Sequence, residues 1–170
     1  MNSLLKGFEP SLLDKLLDDS PKRSDSSSVF KSVSLEQHKE SVARDLEGLL
    51  NSRAAFSEDE LERYPNCRKS LVTYGLCDFS GLSLANAYDR AKICRSLEQA
   101  IARHESRLVN VKVSINASGR SASALHFTIS ALLNIRPARE PVSFDALFQT
   151  NTQQYSVSRL RRAASSGSGN

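Results

Sequence analysis

Glu47, Asp78 and Glu105 are the carboxylates of this chain that could act as general acid and base on a glycosidic bond, because each flanks a predicted structural element. Such a site needs two carboxyl groups held roughly 5 to 9.5 Å apart, and nothing in the spacing of these three brings any two together. Glu47 and Glu105 read instead as solvated residues on helix faces. Asp78 reads as a turn residue bonding a nearby backbone N–H. His38, His104 and His126 are too scattered for a metal site, and His104 falls at the boundary of an apolar helix face. The three cysteines, Cys67, Cys77 and Cys94, include no C-x-x-C pair, so neither a disulfide framework nor a zinc cluster is indicated and a reducing compartment is the simpler expectation. A lone thiol such as Cys77 is inert unless its pKa is lowered. There is no Gly-rich phosphate loop and no G-x-S-x-G. No cofactor and no metal are expected; surface for binding remains.

The elements that would carry such a surface are best defined between Leu108 and Asn134. Val109, Val111, Val113 and Ile115 alternate with Asn110, Lys112, Ser114 and Asn116. Leu125, Phe127, Ile129, Ala131 and Leu133 alternate with His126, Thr128, Ser130 and one exception, Leu132. A period of two with β-branched and aromatic residues predicts strands with one buried and one wet face, and Ser118-Gly119-Arg120-Ser121 predicts the hairpin loop between them. Pro137 and Pro141 bound a loop, after which Val142, Phe144, Ala146 and Phe148 alternate again, and Tyr155 with Val157 closes a second hairpin. Two helices supply the cover. One starts at a Ser34/Gln37 capping box, carries Leu35, Val42, Leu46, Leu49 and Leu50 on a stripe interrupted by an outward-snorkelling Lys39, and runs to about Arg53. The other is capped by Asn86, has Asp89 at its third position, and presents Ala87, Ala91, Cys94, Leu97, Ala100, Ile101 and His104 on one face. Between them a polar bend covers Asn51 to Glu60, a short strand is expected at Ser70 to Tyr74, and Gly75 and Gly81 permit tight turns. The predicted fold is α+β: an antiparallel meander of four to five strands packed on two main helices.

The chain has 170 residues, 25% of them charged, with a net charge of +4, and its basic residues are interleaved with acidic ones except near Arg159, Arg161 and Arg162. No basic reader motif points to nucleic acid. No run approaches the roughly 18 apolar residues needed to span a bilayer, and Met1 to Phe8 lacks a signal-peptide core, so no membrane insertion and a cytoplasmic location are expected. Residues 1–19 form an amphipathic segment with Leu5, Phe8, Leu12, Leu13, Leu16 and Leu17 at helical spacing, Ser11 and Asp14 at its start, and Asp18 and Asp19 beside the apolar face. Residues 20–32 are a polar, Ser-rich linker, 33–160 the α+β domain, and 161–170 a disordered tail. An amphipathic helix of this length needs a surface, either its own domain or a partner's groove. The last strand, Tyr155 to Arg159, leaves an edge that either is protected or recruits a strand.

Four pieces occur in order: Gly7-Phe8-Glu9-Pro10-Ser11-Leu12-Leu13-Asp14-Lys15-Leu16-Leu17-Asp18-Asp19, Ser41-Val42-Ala43-Arg44-Asp45-Leu46-Glu47-Gly48-Leu49-Leu50-Asn51-Ser52-Arg53, Tyr74-Gly75-Leu76-Cys77-Asp78-Phe79-Ser80-Gly81-Leu82 and Arg107-Leu108-Val109-Asn110-Val111-Lys112-Val113. Together, over roughly Gly7 to Val157, they resemble the TssE family, baseplate subunits of type VI secretion systems related to the lysozyme-like wedge protein of contractile phage tails. This chain departs from the family's usual prolines at Cys77 and Ser106, both at element boundaries. The resemblance implies a non-enzymatic subunit of a cytoplasmic baseplate near the inner membrane. Its implied partners are TssF, TssG and TssK, and it would help to seat the sheath of TssB and TssC. Partner-binding residues are then expected at Leu12, Leu13, Leu16 and Leu17 and along the edge at Tyr155, Val157 and Arg159. The family's lysozyme-like label implies the alternative, peptidoglycan hydrolysis.

Overall fold

The computed structural model describes residue 16 and residues 34–56, 58–79, 81–83, 85–115, 124–135 and 138–160. The expected linker, the Ser118–Ser121 loop, the 161–170 tail and all of the leucine-rich segment except Leu16 lie outside the described residues.

Helix α1, Leu35–Asn51, starts where Ser34 and Gln37 predict it: the Ser34 hydroxyl accepts from the Gln37 N–H at 3.2 Å and the Gln37 side chain accepts from the Ser34 N–H at 2.9 Å. These two bonds satisfy helix-terminal donors that have no partner within the helix. Val42, Leu46, Leu49 and Leu50 form the buried stripe. Lys39 does not snorkel into solvent; its Nζ lies 2.6 Å from the Glu140 carboxylate, because the strand Ala138–Gln149 brings an acid beside the stripe. The helix ends at Asn51, and Ser52 turns extended while its hydroxyl donates to Gly48 O at 2.8 Å.

The segment after α1 is irregular. A four-residue helix, α2 (Glu58–Leu61), leads into two 3-10 turns, Pro65–Lys69 and Leu71–Thr73. The strand expected at Ser70 to Tyr74 is therefore absent. Thr73 explains part of this: its hydroxyl lies 3.0 Å from Arg68 O and 2.9 Å from Ser70 O, curling the backbone back on itself. Among the described residues of this segment, extended pairing is limited to an isolated parallel bridge, Arg53 with Leu76, flanked by Leu76 N to Ser52 O at 2.9 Å and Ala54 N to Leu76 O at 3.1 Å. Gly75, at φ +114°, lets the chain reach that bridge. Gly81 is not needed in the same way, since a β-carbon there would meet open space.

Helix α3, Ala87–His104, is capped by the Asn86 side chain, which accepts from the Tyr88 N–H at 2.9 Å. Its buried face is Ile93, Leu97, Ala100 and Ile101; Ala87 and Ala91 are exposed, so the face is narrower than their spacing predicts and turns toward the bulkier Ile93. The strands follow as β1 (Leu108–Ile115), β2 (Ala124–Ile135), β3 (Ala138–Gln149) and β4 (Gln154–Arg159), in sheet order β1-β2-β3-β4 with every neighbour antiparallel. The alternating residues of β2 and β3 face inward as predicted. β1 differs at one place. A bulge between Val109 and Lys112, with Asn110 at φ 55°, moves Leu108 rather than Val109 into the core and restores the alternation at Val111. No loop extends to Pro141, which sits within β3 opposite Leu132. Leu160 N bonds Ser143 O on the β4 side, so the nitrogen of Pro141, two residues back, faces that side beyond the end of β4. The core joins Phe127, Ile129, Leu133 and Phe144 of the sheet to Leu46 and Leu49 of α1 and Leu97 and Ile101 of α3.

Candidate functional site

The carboxylates that could have done acid–base chemistry are tied into the fold. Glu105 is not a solvated face residue; it caps α3, is buried, and binds Arg107. Arg107 Nε lies 2.8 Å from Glu105 Oε1, its Nη2 contacts Glu105 Oε2, and the same Nη2 reaches Asp45 Oδ2 of α1 at 2.5 Å. Burial alone would lower the pKa of this guanidinium, but the hydrogen bonds and charges of Glu105 and Asp45 reverse that and raise it. Glu47 is also not simply solvated: its Oε2 accepts the Val157 N–H at 2.8 Å. Asp78 remains exposed in its turn.

His104 Nε2 lies 2.8 Å from Thr73 O and 3.1 Å from the Thr73 hydroxyl, and its ring meets Tyr74 edge-on. Burial lowers its pKa, against the opposing effect of the Thr73 bond. None of the three cysteines forms a disulfide, and burial beside Glu98 raises the pKa of Cys94. Among the described residues no three His, Cys, Asp or Glu side chains gather where they could hold a metal ion. No helix among them is long and apolar enough to cross a membrane.

The sheet margins carry the most specific geometry. Along the outer edge of β4, the Asn51 side-chain amide makes a two-point contact with Tyr155, accepting its N–H and donating to its C=O, each at 2.8 Å. One helical turn earlier Glu47 takes the Val157 N–H, so two α1 side chains mimic the bonds a neighbouring strand would make. Arg159 then pairs with Glu40 at 2.9 Å and with Glu36. The Tyr155 ring is buried against Phe148 at 4.7 Å and Phe127 at 6.1 Å between centroids, and Val157 is half-buried. Of the predicted edge residues, only the backbone thus faces outward at Tyr155 and Val157. At the opposite margin Glu98 of α3 accepts the Val113 N–H of β1 at 2.9 Å. Both covers link residues far apart in sequence, and the alternation of β4 alone carries no sign of them. Of the predicted docking leucines, Leu16 is described; it is helical and 72% exposed.

A cleft of about 640 Å³ opens where α1 ends, between the loop at Leu76 to Leu82 and the ends of β2 and β3, with Phe79, Leu125 and Phe148 in its walls and Arg53 and Asp78 among its polar lining residues. Tyr155 forms part of its lining, and burial pushes the phenol up to about 12 from an ordinary 10. Because the folded form keeps this proton after the unfolded chain has lost it, stability is expected to fall as pH rises from about 10 to about 12. Denaturant midpoints across that range should fall less steeply for Tyr155→Phe, leaving the smaller contribution of Tyr74, whose pKa burial also raises.

A four-stranded antiparallel sheet backed by two helices, with Glu105 and Asp45 on Arg107 and Glu47 on the Val157 amide, makes a small α+β domain. The chain belongs to the baseplate wedge protein gp25 family, whose model matches residues 36–138, from the first turn of α1 to the start of β3. That family gives it a structural role in a phage-tail-like baseplate, in contact with other baseplate components. No curated protein matches the chain.

Proposed function

We propose that this chain is a non-enzymatic component of a type VI secretion baseplate wedge, cytoplasmic and near the inner membrane, that binds other wedge subunits and helps to start assembly of the contractile sheath. The family match carries the baseplate role, and the four pieces that resemble TssE support the secretion-system setting. The wedge partners are TssF, TssG and TssK, and the sheath proteins TssB and TssC. Leu12, Leu13, Leu16 and Leu17 lay their apolar face in a groove of the wedge partners, a mode for which the exposure of Leu16 leaves the side chain available. The sheet offers its margin to a strand of the sheath, through main-chain hydrogen bonds of the kind that edge strands supply.

Replacing Leu13 and Leu16 together by Asp tests the docking face. Wedge subunits recovered with the tagged chain are expected to drop more than tenfold, while the unfolding midpoint of the isolated protein stays within a degree or two. Undiminished recovery would remove the leucine face from the interface.

A further inference from the structure

The two margins of the sheet are covered unequally. On β4, Tyr155 is held through both its N–H and its C=O and Val157 through its N–H, by side chains one turn apart on α1. Asn51 is short, and Glu47 and Asn51 alternate with Leu46, Leu49 and Leu50, which are anchored in the core. Asn51 cannot leave β4 far without moving the helix; Glu47 is as long as Glu98, so the two-point Asn51 contact with Tyr155 is what keeps this edge closed. Arg159 adds its pairs with Glu40 and Glu36. On β1 the cover among the described residues is one long side chain, Glu98, holding one N–H, on a half-buried position of α3. Rotation about its own χ angles frees Val113 while α3 keeps its place in the core. Exchange of a carboxylate acceptor for the carbonyl of an added strand replaces one hydrogen bond by another, so opening this edge need not leave a buried donor unmet.

The bulge at Val109 and Asn110 sets where pairing could begin. Beyond it Val111 to Ile115 run without a glycine or proline, Val111 and Val113 continue the buried face, and Lys112 and Ser114 point to the open one. We propose that an extended segment of another subunit of the assembly adds to the sheet along Val111 to Ile115 of β1, displacing Glu98 from the Val113 amide, and that β4 stays closed by α1. The segment that fits has apolar residues at alternate positions, to extend the face of Val111 and Val113, and a Lys or Arg where it passes the released Glu98 carboxylate. This rests on the strand-accepting role proposed above and assigns it an edge.

Two measurements test it. In the wild-type chain, amide exchange at Val113 is expected to be at least tenfold faster than at Tyr155, and Glu98→Ala should quicken Val113 further while Glu98→Gln, which keeps an acceptor, should not. Equal protection of the two amides in the wild type would overturn the proposal without any variant. In cells carrying each variant as the sole copy, Val113→Pro or Ile115→Pro removes an outward N–H and is expected to cut sheath number more than tenfold. Slow exchange at Lys112 and Ser114 would show that the β1–β2 ladder persists in these variants. Val157→Pro, at the closed edge, should leave sheath number within twofold. Blockage by Val157→Pro alone would overturn the choice of β1 and keep strand addition. Normal sheaths in all three folded variants would refute strand addition and this proposal with it. A purified chain that dimerises through β1, and loses the dimer in Val113→Pro, would overturn the assignment to another subunit.

Discussion

Gly75→Ala is expected to destabilise the domain by about 3 to 5 kcal/mol, the sum of a strained left-handed backbone and a steric conflict. The residue sits at φ +114°, and a β-carbon built there would lie 2.6 Å from both the carbonyl carbon and the oxygen of Ser52 and 2.8 Å from the carbonyl carbon of Arg53. These are backbone atoms at the end of α1, not the tip of a side chain that could swing aside. Relief must move the Arg53–Leu76 bridge, and with it Leu76, which is buried in the core. Urea unfolding of the variant should show a midpoint lowered in proportion, whereas Gly81→Ala, facing open space, should change it by less than about 0.5 kcal/mol. Equal effects at the two glycines would show that the close approach at Ser52 is not what Gly75 provides.

Arg107→Ala is expected to cost a similar amount, about 3 to 5 kcal/mol, through what it leaves behind. Glu105 is only 6% exposed, and Arg107 is the cation shown bound to it; Asp45 shares the same guanidinium. Removing the arginine strands a buried carboxylate between the end of α3 and the start of β1. Lysine should not rescue it, because one ammonium cannot reproduce the contacts that the planar guanidinium makes with Glu105 and Asp45. The informative companion is a triple replacement by apolar residues of similar volume, Asp45→Leu, Glu105→Leu and Arg107→Met. That variant should recover much of the stability lost by Arg107→Ala, since taking out all three charges leaves no buried charge unpaired, and it forfeits only the 3.1 Å bond from the residue-107 N–H to Glu105 Oε1. Unfolding midpoints of the single and triple variants decide the matter; a triple variant as unstable as the single one would point to packing, not charge, as the role of Arg107.

What could be seen in the sequence was what depends on neighbours a few residues away. The alternation of Phe127, Ile129 and Leu133, the capping box at Ser34 and the cap at Asn86 are local, and each is where it was expected. Leu71 to Thr73 misled because β-branched and apolar residues there resemble a strand, while Thr73 spends its hydroxyl on carbonyls three and five residues back. Glu105 looked like an ordinary exposed acid because, although Arg107 is only two residues away, the helix α1 whose Asp45 shares that guanidinium is brought to it only by the tertiary fold. The edge of β4 shows the same limit. Its strand character was legible, but its cover comes from Glu47 and Asn51, more than a hundred residues earlier in the chain.

That last separation bears on how the molecule is made. Each strand of the meander pairs with the one just before it, so the sheet can grow hairpin by hairpin as the polypeptide leaves the ribosome. Helix α1 emerges early, yet Glu47 and Asn51 find their bonds only when Val157 and Tyr155 appear. The beginning of the domain thus waits for its end. A chain halted before β4 would carry a helix whose polar flank lacks its counterpart, a state that proteases could distinguish from the finished subunit before it reached an assembly.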